Sequence, residues 1–281
     1  MIPAPFDYEV AESVEHAIEL LGSKEDAKLL AGGHSLLPLM KFRLARPATL
    51  VDIGRVSGLA GVSDSGEHLT IGALTRHHDL AHDALVREHC PILAYTAALV
   101  GDRQVRHRGT IGGSLAHGDP ASDLPTIALT LDAQIVMRGP NGERAVAASE
   151  FFRGFYETAL EPNDVITEIR MPKTGAARWS YVKFRQRALD WATVGVAAVV
   201  EAGNGTIESA RIGLTNMGQT PLRAAAAEQA LAGAPRDGVA AAASKADEGT
   251  DPPADTCASS DFRRHLSRVL TARAVEEALS R

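Results

Sequence analysis

Two glycine-rich segments carry the residue types best suited to binding a phosphate group. The first is AGGHSLLP (Ala31–Pro38) and the second is GTIGGSLAHGDPASDLP (Gly109–Pro125). Paired glycines let the backbone come close to a ligand and turn successive N–H groups toward an anion. The hydroxyl groups of Ser35, Thr110 and Ser114 add hydrogen-bond donors without adding bulk. Two such loops facing each other could bind a diphosphate without a lysine.

These segments do not match the common nucleotide-binding patterns. The sequence contains neither the Gly-x-Gly-x-x-Gly spacing of dinucleotide-binding folds nor the Gly-x-x-x-x-Gly-Lys-Ser/Thr spacing of P-loops. This disfavours the usual NAD and ATP folds. Paired glycines also form plain tight turns, and for either segment alone that interpretation is as good as ligand binding. The occurrence of both segments in one chain favours a ligand.

Other polar clusters have simpler explanations than catalysis. His77, His78, His82 and His89 lack the His-Glu-x-x-His pattern of a zinc site, so we expect a solvent-facing helix and no metal. The basic run Arg103–Gly109 could attract a phosphate group or an acidic partner, and it could equally be solvated.

Two acidic residues in the second segment could form a carboxylate pair for acid–base work. No nucleophile or base accompanies Asp119 and Asp123, however. Asp123 fits better as a helix cap or as a cofactor contact. We therefore assign no catalytic residue to the chain.

The composition is that of a globular protein without disulfide bonds. The chain has 281 residues, 45% of them hydrophobic and 23% charged, a length that implies about two domains. Cys90 and Cys257 are far apart in sequence, which argues against a disulfide framework and against a cysteine-ligated zinc or iron–sulfur site. The net charge of -6, without a block of five or more like charges, disfavours nucleic-acid binding. The first residues lack the features of a signal peptide and no long apolar run follows, so we expect a cytoplasmic protein.

Hydrophobic periodicity predicts the elements that must hold the glycine segments. A helix capped by Ser13 leads to a buried strand, Ala27–Ala31, which runs into the first segment. A helix over Pro91–Gly101 precedes the second segment. Further helices are predicted at residues 36–46, 121–131 and 149–157, and further strands at residues 49–53, 68–73, 133–139, 144–148 and 164–172.

The composition changes after Lys173, and residues 173–178 are a plausible linker. Three strands are predicted beyond it, at residues 179–186, 193–202 and 209–217, with a hairpin turn at Asn204-Gly205. Two alanine-rich helices follow, the last capped by Asp261, and residues 235–260 between them are expected to be a mobile loop. The pattern predicts an α+β fold with a first domain over residues 1–174 and a smaller domain of sheet and helices over residues 175–281.

The two glycine segments resemble the FAD-binding signatures of the flavoprotein subunits of molybdenum hydroxylases. This family comprises the medium subunits of bacterial carbon monoxide dehydrogenases and their relatives, and it is similar to the flavin domain of xanthine dehydrogenase. The resemblance covers nearly the whole chain, including DVITEIRMP, YVKFRQRALDWATVGVA and SDFRRHLSRVLTARAVEEAL. It implies an FAD-binding domain of the vanillyl-alcohol-oxidase (PCMH) type, followed by a flavoprotein C-terminal domain.

The resemblance also implies which residues contact FAD. Lys183 would lie near the isoalloxazine ring, where a positive charge stabilises the anionic reduced flavin, although without the family it reads as a solvated strand lysine. Trp191 could pack on the flavin or fill the core, and the core is the simpler expectation. The implied contacts are Lys28, Leu29, Leu30, Ala31, Gly32, Gly33, His34, Ser35, Thr110, Ile111, Gly112, Gly113, Ser114, Asp123, Ile166 and Lys183.

The function implied by the resemblance is that of an electron-transfer subunit. Substrate would be oxidised at a molybdenum cofactor with copper on a large partner, and [2Fe–2S] clusters on a small partner would pass electrons to FAD on this chain. A quinone or another acceptor would then receive them. The family implies a dimer of heterotrimers that meets a membrane only peripherally, through its partners. Within the family, the resemblance over the whole chain favours carbon monoxide dehydrogenase, and subunits for nicotine, caffeine, quinoline, xanthine or aldehydes are alternatives. Two hypotheses lie outside the family's function. One is a free-standing flavin oxidoreductase, and the other is a scaffold that binds a nucleotide without redox activity.

Overall fold

The computed structural model describes residues 2–281. Its chain begins with a three-stranded parallel sheet in which β1 (Asp7–Val10) and β2 (Ala27–Leu30) flank β3 (Thr49–Asp52). The predicted first helix, α1 (Val14–Ser23), connects β1 to β2, and the Ser13 hydroxyl caps it by accepting the His16 N–H at 3.1 Å. β2 thus ends where the first glycine segment begins.

The second sheet has five antiparallel strands and lies in the middle of the chain. The strands of this part of the chain are β4 (Val62–Asp64), β5 (His68–Gly72), β6 (Gln134–Gly139), β7 (Gly142–Ala147), β8 (Phe152–Gly154), β9 (Glu157–Thr158) and β10 (Val165–Pro172). The strand order in the sheet is β4-β5-β10-β6-β7, and β8 and β9 form a separate two-stranded ribbon.

Short helices between β5 and β6 cover this sheet and form the main apolar cluster with it. Leu93 and Ile127, on two of these helices, pack in that cluster with Ile135 and Ile169 of the sheet. The second glycine segment belongs to this group of helices. The helices of the first part of the chain are α2 (Leu36–Lys41), α3 (His77–His82), α4 (Ala84–His89), α5 (Pro91–Ala98), α6 (Arg103–Arg106), α7 (Ile111–His117), α8 (Asp123–Thr130) and α9 (Ala148–Phe151).

The third sheet has four antiparallel strands in sequential order. Asn204 and Gly205 take φ values of 51° and 83° in the turn between β12 and β13, which confirms the predicted hairpin. A second apolar cluster fills the space between this sheet and three helices. The elements are β11 (Arg178–Phe184), β12 (Val194–Gly203), β13 (Thr206–Thr215), β14 (Leu222–Arg223), α10 (Ala225–Leu231), α11 (Val239–Ala243) and α12 (Ser260–Ser280).

Several predicted bounds are wrong for local reasons. The helix predicted over residues 36–46 stops at Lys41, and Arg43 takes a left-handed φ of 60°. The helix predicted over residues 149–157 gives way after Phe151 to the ribbon of β8 and β9. The last helix is capped by the Ser259 hydroxyl, which accepts the Phe262 N–H at 3.2 Å, and not by Asp261.

Residues 235–260 are built into the fold, and the expected mobile loop is wrong. They contain a short 3-10 turn, Arg236–Gly238, and helix α11. Val239, Ala242 and Ala246 are buried in the second apolar cluster. Alanine methyl groups suffice here because the helices pack closely, so low apolar content does not indicate mobility.

The apolar clusters do not separate at the predicted linker. Tyr181, Ala197 and Val199 of the third sheet lie in the main cluster, together with residues of the second sheet and its helices. The division into residues 1–174 and 175–281 therefore stays a prediction. No helix among residues 2–281 has both the length and the apolar content needed to cross a bilayer.

Candidate functional site

The first glycine segment leaves the end of β2 with unused backbone donors. Gly33 takes a φ of 78°, a left-handed conformation that glycine adopts without strain. Within residues 2–281 the N–H groups of Gly32, Gly33, His34 and Ser35 donate to no backbone carbonyl. Consecutive donors of this kind can receive an anion, as the sequence predicted for this segment.

The second glycine segment is a helix and not the expected loop. Thr110 caps α7, and its hydroxyl accepts the Gly113 N–H at 3.1 Å. The Gly112 N–H donates to the Ala73 carbonyl at 2.8 Å. Since both glycine N–H groups have acceptors inside the protein, the prediction that this segment forms a nest of free donors is wrong. The Ser114 side chain, one residue further, is half-buried.

The glycines let the two segments and their supports touch. A Cβ on Gly32 would overlap the Arg108 carbonyl oxygen and lie 2.8 Å from Gly109 Cα. A Cβ on Gly112 would lie 2.6 Å from Ala73 Cβ. The segments therefore face each other, as predicted, but these two glycines serve contact between protein backbones. The donors of the first segment lie beside that contact.

A buried ion pair lies at the N-terminal end of α8. Lys183 Nζ donates to Asp123 Oδ2 at 2.7 Å, and each side chain is 3% exposed. Lys183 Nζ also lies 3.5 Å from the Leu99 carbonyl oxygen at the end of α5. The interpretation of Lys183 as a solvated lysine is therefore wrong. Asp123 is the first residue of α8, and because Ser122 occupies the cap position, the expectation of a capping aspartate is also wrong.

Three further side chains continue from this pair, and the sequence analysis did not single them out. The Tyr181 hydroxyl donates to Asp123 Oδ1 at 2.7 Å. Thr215 Oγ1 lies 3.2 Å from Tyr181 Oη and 2.7 Å from Thr126 Oγ1. Alternate residues of a strand share a face, so the position of Tyr181 two residues before Lys183 was the available signal.

Burial governs the protonation of this group. It raises the pKa of Asp123, and the Lys183 ammonium and the Tyr181 hydroxyl partly offset that effect. Burial and the neighbouring Asp123 carboxylate raise the pKa of Tyr181 well above its usual range. Tyr181 therefore remains a hydrogen-bond donor at neutral pH.

His77 is buried against the start of the second glycine segment, contrary to the expected solvent-facing helix. A Cβ on Gly109 would lie 2.8 Å from its Cδ2 atom, and within residues 2–281 its Nδ1 atom has no hydrogen-bond partner. Burial lowers the pKa of His77 to about 4, and the charges of His34 and Arg106 act in the same direction. His82 of the same helix is exposed, as predicted.

The remaining predicted residues lie at different depths. Lys28 of β2 is exposed, and Leu29 packs at the edge of the first sheet's apolar cluster. Ile166 is buried in the main cluster, beside an irregularity of β10. Trp191 is 55% exposed, so the expectation that it fills the core is wrong. Asp119 accepts the Ala121 N–H at 2.8 Å and shapes the turn before α8.

This arrangement fits FAD. The first segment offers consecutive N–H donors to a diphosphate, and each segment carries a serine hydroxyl, Ser35 and Ser114. An ammonium carries three N–H donors, and the two partners of Lys183 leave one donor for a ring acceptor. No cluster of His, Cys, Asp and Glu within residues 2–281 has metal-ligating geometry.

Family comparison defines the class to which this fold and site belong. Residues 4–174 match the model of the FAD binding domain in molybdopterin dehydrogenase, and residues 179–278 match the CO dehydrogenase flavoprotein C-terminal domain. The chain belongs to this family of flavoprotein subunits. The family resemblance and the predicted fold class are thereby confirmed.

Individual relatives are similar over their whole lengths. The carbon monoxide dehydrogenase medium chain of Hydrogenophaga pseudoflava is 42% identical, over 100% of this chain and 99% of that protein. The 6-hydroxypseudooxynicotine dehydrogenase complex subunit alpha of Paenarthrobacter nicotinovorans is 39% identical, over 100% and 97%.

Solved structures agree with the sequence relatives. A carbon monoxide dehydrogenase chain of H. pseudoflava superposes with a TM-score of 0.97 at 44% identity, covering 100% of this chain and 99% of that one. A chain of quinoline 2-oxidoreductase from Pseudomonas putida 86 superposes with a TM-score of 0.96 at 35% identity, with the same coverage.

Proposed function

We propose that this chain is the FAD-carrying electron-transfer subunit of a three-component molybdenum hydroxylase that oxidises carbon monoxide to carbon dioxide with water. The observation that carries the proposal is the full-length similarity to a carbon monoxide dehydrogenase medium chain, at 42% identity. FAD bound here would supply the means to accept electrons singly from iron–sulfur clusters and to deliver them in pairs to a quinone or another acceptor. The reaction of carbon monoxide itself belongs to a partner subunit.

Two regions of the chain would hold FAD. Lys28–Ser35 would contact FAD, with the free backbone N–H groups of Gly32–Ser35 on the diphosphate, and Thr110–Ser114 would close the other side. Ile166 would line the site from β10. Asp123 and Lys183 would face the isoalloxazine ring, where the Lys183 ammonium places a buried positive charge. A charge in this position favours the reduced over the oxidised cofactor.

The electrons would come from partners. One relative with a solved structure is a Cu,Mo-CO dehydrogenase, and another belongs to a carbon monoxide dehydrogenase that can lack the Mo-pyranopterin moiety of its cofactor. By analogy, a large partner would carry molybdenum and copper, and a small partner would carry [2Fe–2S] clusters. A dimer of such heterotrimers is the assembly we propose. The free thiols of Cys90 and Cys257 suit the reducing cytoplasm, where the complex would meet the membrane's inner face only through its partners.

A second candidate differs only in substrate. Identity to the 6-hydroxypseudooxynicotine dehydrogenase subunit is 39%, against 42% for the carbon monoxide dehydrogenase chain. The structural match to quinoline 2-oxidoreductase, at a TM-score of 0.96, is also close. These relatives favour a hydroxylase of nitrogen heterocycles as the alternative. Similar flavin subunits could serve both kinds of enzyme, because the substrate would be selected on another chain.

The complex isolated natively with this chain tests both candidates. We would record its visible spectrum and its molybdenum and copper content, then add carbon monoxide without air. The expected result is flavin absorption at about 450 nm with [2Fe–2S] absorption, both metals, and bleaching by carbon monoxide.

Each other outcome contradicts a defined part of the proposal. Flavin and molybdenum without bleaching by carbon monoxide would reject that substrate and retain the family function, and quinoline would then be added. A yellow protein without partners would indicate a free-standing flavin oxidoreductase. A complex whose flavin does not bleach with any electron source would indicate a scaffold, and a colourless protein would reject FAD binding.

A further inference from the structure

Five buried side chains form one hydrogen-bonded chain behind the proposed flavin site. They come from three elements, α8, β11 and β13, and Thr126 and Thr215 are 89 residues apart in the sequence. The four distances along the chain are 2.7, 3.2, 2.7 and 2.7 Å. Its members in order are Thr126, Thr215, Tyr181, Asp123 and Lys183.

The direction of donation in this chain follows from the chemistry of its ends. An ionised carboxylate only accepts, so Asp123 receives one hydrogen from Lys183 and one from Tyr181. Tyr181 has a single hydroxyl hydrogen, which leaves its oxygen as the acceptor toward Thr215. Thr215 must then donate to Tyr181 and accept from Thr126. All the donors point toward Asp123.

A glycine of the third sheet leaves room for these hydrogen-bonded side chains. Gly195 of β12 pairs with Lys183 on one side and with Thr215 on the other. A Cβ on Gly195 would lie 2.5 Å from Tyr181 Oη and 2.9 Å from Thr215 Oγ1. The Tyr181–Thr215 contact therefore crosses the sheet directly over a residue without a side chain.

This hydrogen-bonded row of side chains supports Asp123 and does not conduct protons. Thr126 and Thr215 are fully buried, and Thr130 Oγ1 donates to the Thr126 carbonyl beyond them. The far end is thus closed off from solvent. What the chain can do is fix the Asp123 carboxylate, because each of its oxygens has one committed donor.

We propose that Tyr181 is a positioning residue that sets how much of the positive charge of Lys183 reaches FAD. By holding Oδ1, Tyr181 limits Lys183 to Oδ2 and draws negative charge away from the ion pair. Thr215 supports this by holding the phenol oxygen. Without the Tyr181 hydroxyl, both carboxylate oxygens can turn to Lys183, and the ammonium stabilises reduced FAD less. The inference rests on the proposed FAD site.

The test compares matched variants in the natively isolated complex. Tyr181→Phe removes the hydroxyl at nearly constant volume, and Thr215→Val removes its support. Ser180→Ala is the control, since its buried hydroxyl has no hydrogen-bond partner within residues 2–281 and alternation places it on the opposite face of β11. The readouts are the flavin midpoint potential, from spectra at controlled potentials, and the thermal unfolding midpoint.

We expect Tyr181→Phe to lower the ratio of the affinity for reduced FAD to the affinity for oxidised FAD about tenfold. For a two-electron couple this lowers the flavin midpoint potential by about 30 mV. Thr215→Val should shift the potential less and in the same direction, and it carries the test if Tyr181→Phe does not fold. Ser180→Ala should leave the potential unchanged. A potential in Tyr181→Phe or Thr215→Val that equals the control, or that rises, overturns the inference.

Lys183→Met separates this inference from the proposed function. If Lys183→Met lowers the potential and the tyrosine and threonine variants do not, only the role of Tyr181 is rejected. If Lys183→Met changes neither the potential nor the FAD content, FAD does not lie beside Lys183, and the proposed site fails together with the inference.

Discussion

Lys183 shows how a residue's environment decides its chemistry. A lysine in a strand of mixed polarity predicts solvent exposure, since lysine is almost never buried without a partner. The partner here is Asp123, which is 60 residues away in the sequence and is brought close by the packing of α8 against the third sheet. No local sequence pattern indicates a contact between two residues that are this far apart in the sequence. Only the family resemblance placed the two residues in one site.

His77 gives a prediction at this same scale, because its buried ring disfavours protonation. Its pKa is lowered from 6.5 to about 4, so the unfolded chain binds the proton more readily between these values. The stability that a neutral His77 contributes is present above pH 6.5 and is lost as the pH falls toward 4. Between pH 7 and pH 5 this amounts to about 2 kcal/mol.

Urea unfolding at pH 7 and pH 5 measures this effect. In His77→Gln the loss of unfolding free energy between the two pH values should be smaller than in the wild-type chain by about that 2 kcal/mol. His82→Gln, which changes an exposed histidine of the same helix, should behave like the wild type. An equal loss in His77→Gln and the wild type would show that His77 is not the group that titrates.

At the scale of elements, the sequence predicted where the two glycine segments lie, but its prediction of free N–H donors holds only for the first segment. Paired glycines indicate a close approach, and the structure has one at Gly32 and one at Gly112. The sequence does not tell whether the approaching group is a ligand or another backbone, since both require only a missing Cβ. The cap at Thr110 explains why the second segment is helical: a hydroxyl followed by Ile-Gly-Gly-Ser can begin a helix as well as a loop.

Gly32→Ala tests the contact between the two segments, and Gly22→Ala is its control. In Gly32→Ala the new methyl group meets the Arg108 carbonyl, a backbone atom that cannot move aside, so the two segments separate. We expect loss of FAD and a lower unfolding midpoint. In Gly22→Ala the methyl group makes only an ordinary contact, 3.5 Å from Asn163 Nδ2, and α1 gains about 0.5–1 kcal/mol from the better helix former.

The FAD content after desalting and the thermal midpoint report both changes. Gly22→Ala should keep its FAD and melt at a temperature no lower than the wild type. Full retention of FAD by Gly32→Ala would mean that contact between the two segments is not needed for the cofactor, and it would contradict the arrangement of the site proposed here.

At the scale of the whole molecule, the sequence predicted two domains and the strands within each, but not how the two regions pack together. The main apolar cluster takes in Tyr181, Ala197 and Val199, although the composition changes at Lys173. Composition reports the local polarity of a linker and not the packing of the strands that follow it. The C-terminus adds a second connection, because the Arg281 guanidinium lies 3.9 Å from the centre of the Trp179 ring and 5.7 Å from the centre of the Tyr95 ring on α5.

A core shared in this way predicts a single unfolding transition. If residues 175–281 unfolded first, Tyr181, Ala197 and Val199 would leave the main cluster, and Asp123 would lose both of its buried donors. An uncompensated buried charge and a large cavity each cost several kcal/mol, so the rest of the chain should unfold in the same step. The two tryptophans allow a direct check, since Trp179 lies at this junction and Trp191 is exposed.

In Trp191→Phe the fluorescence of Trp179 should follow the same urea midpoint as the far-ultraviolet circular dichroism, as two-state unfolding requires. In Trp179→Phe the emission of Trp191 should change little, because its ring already meets water in the folded chain. Two separate steps in the circular dichroism, with the Trp179 signal confined to the first, would contradict the shared core. That result would instead support a chain whose two family-model regions, residues 4–174 and 179–278, unfold independently.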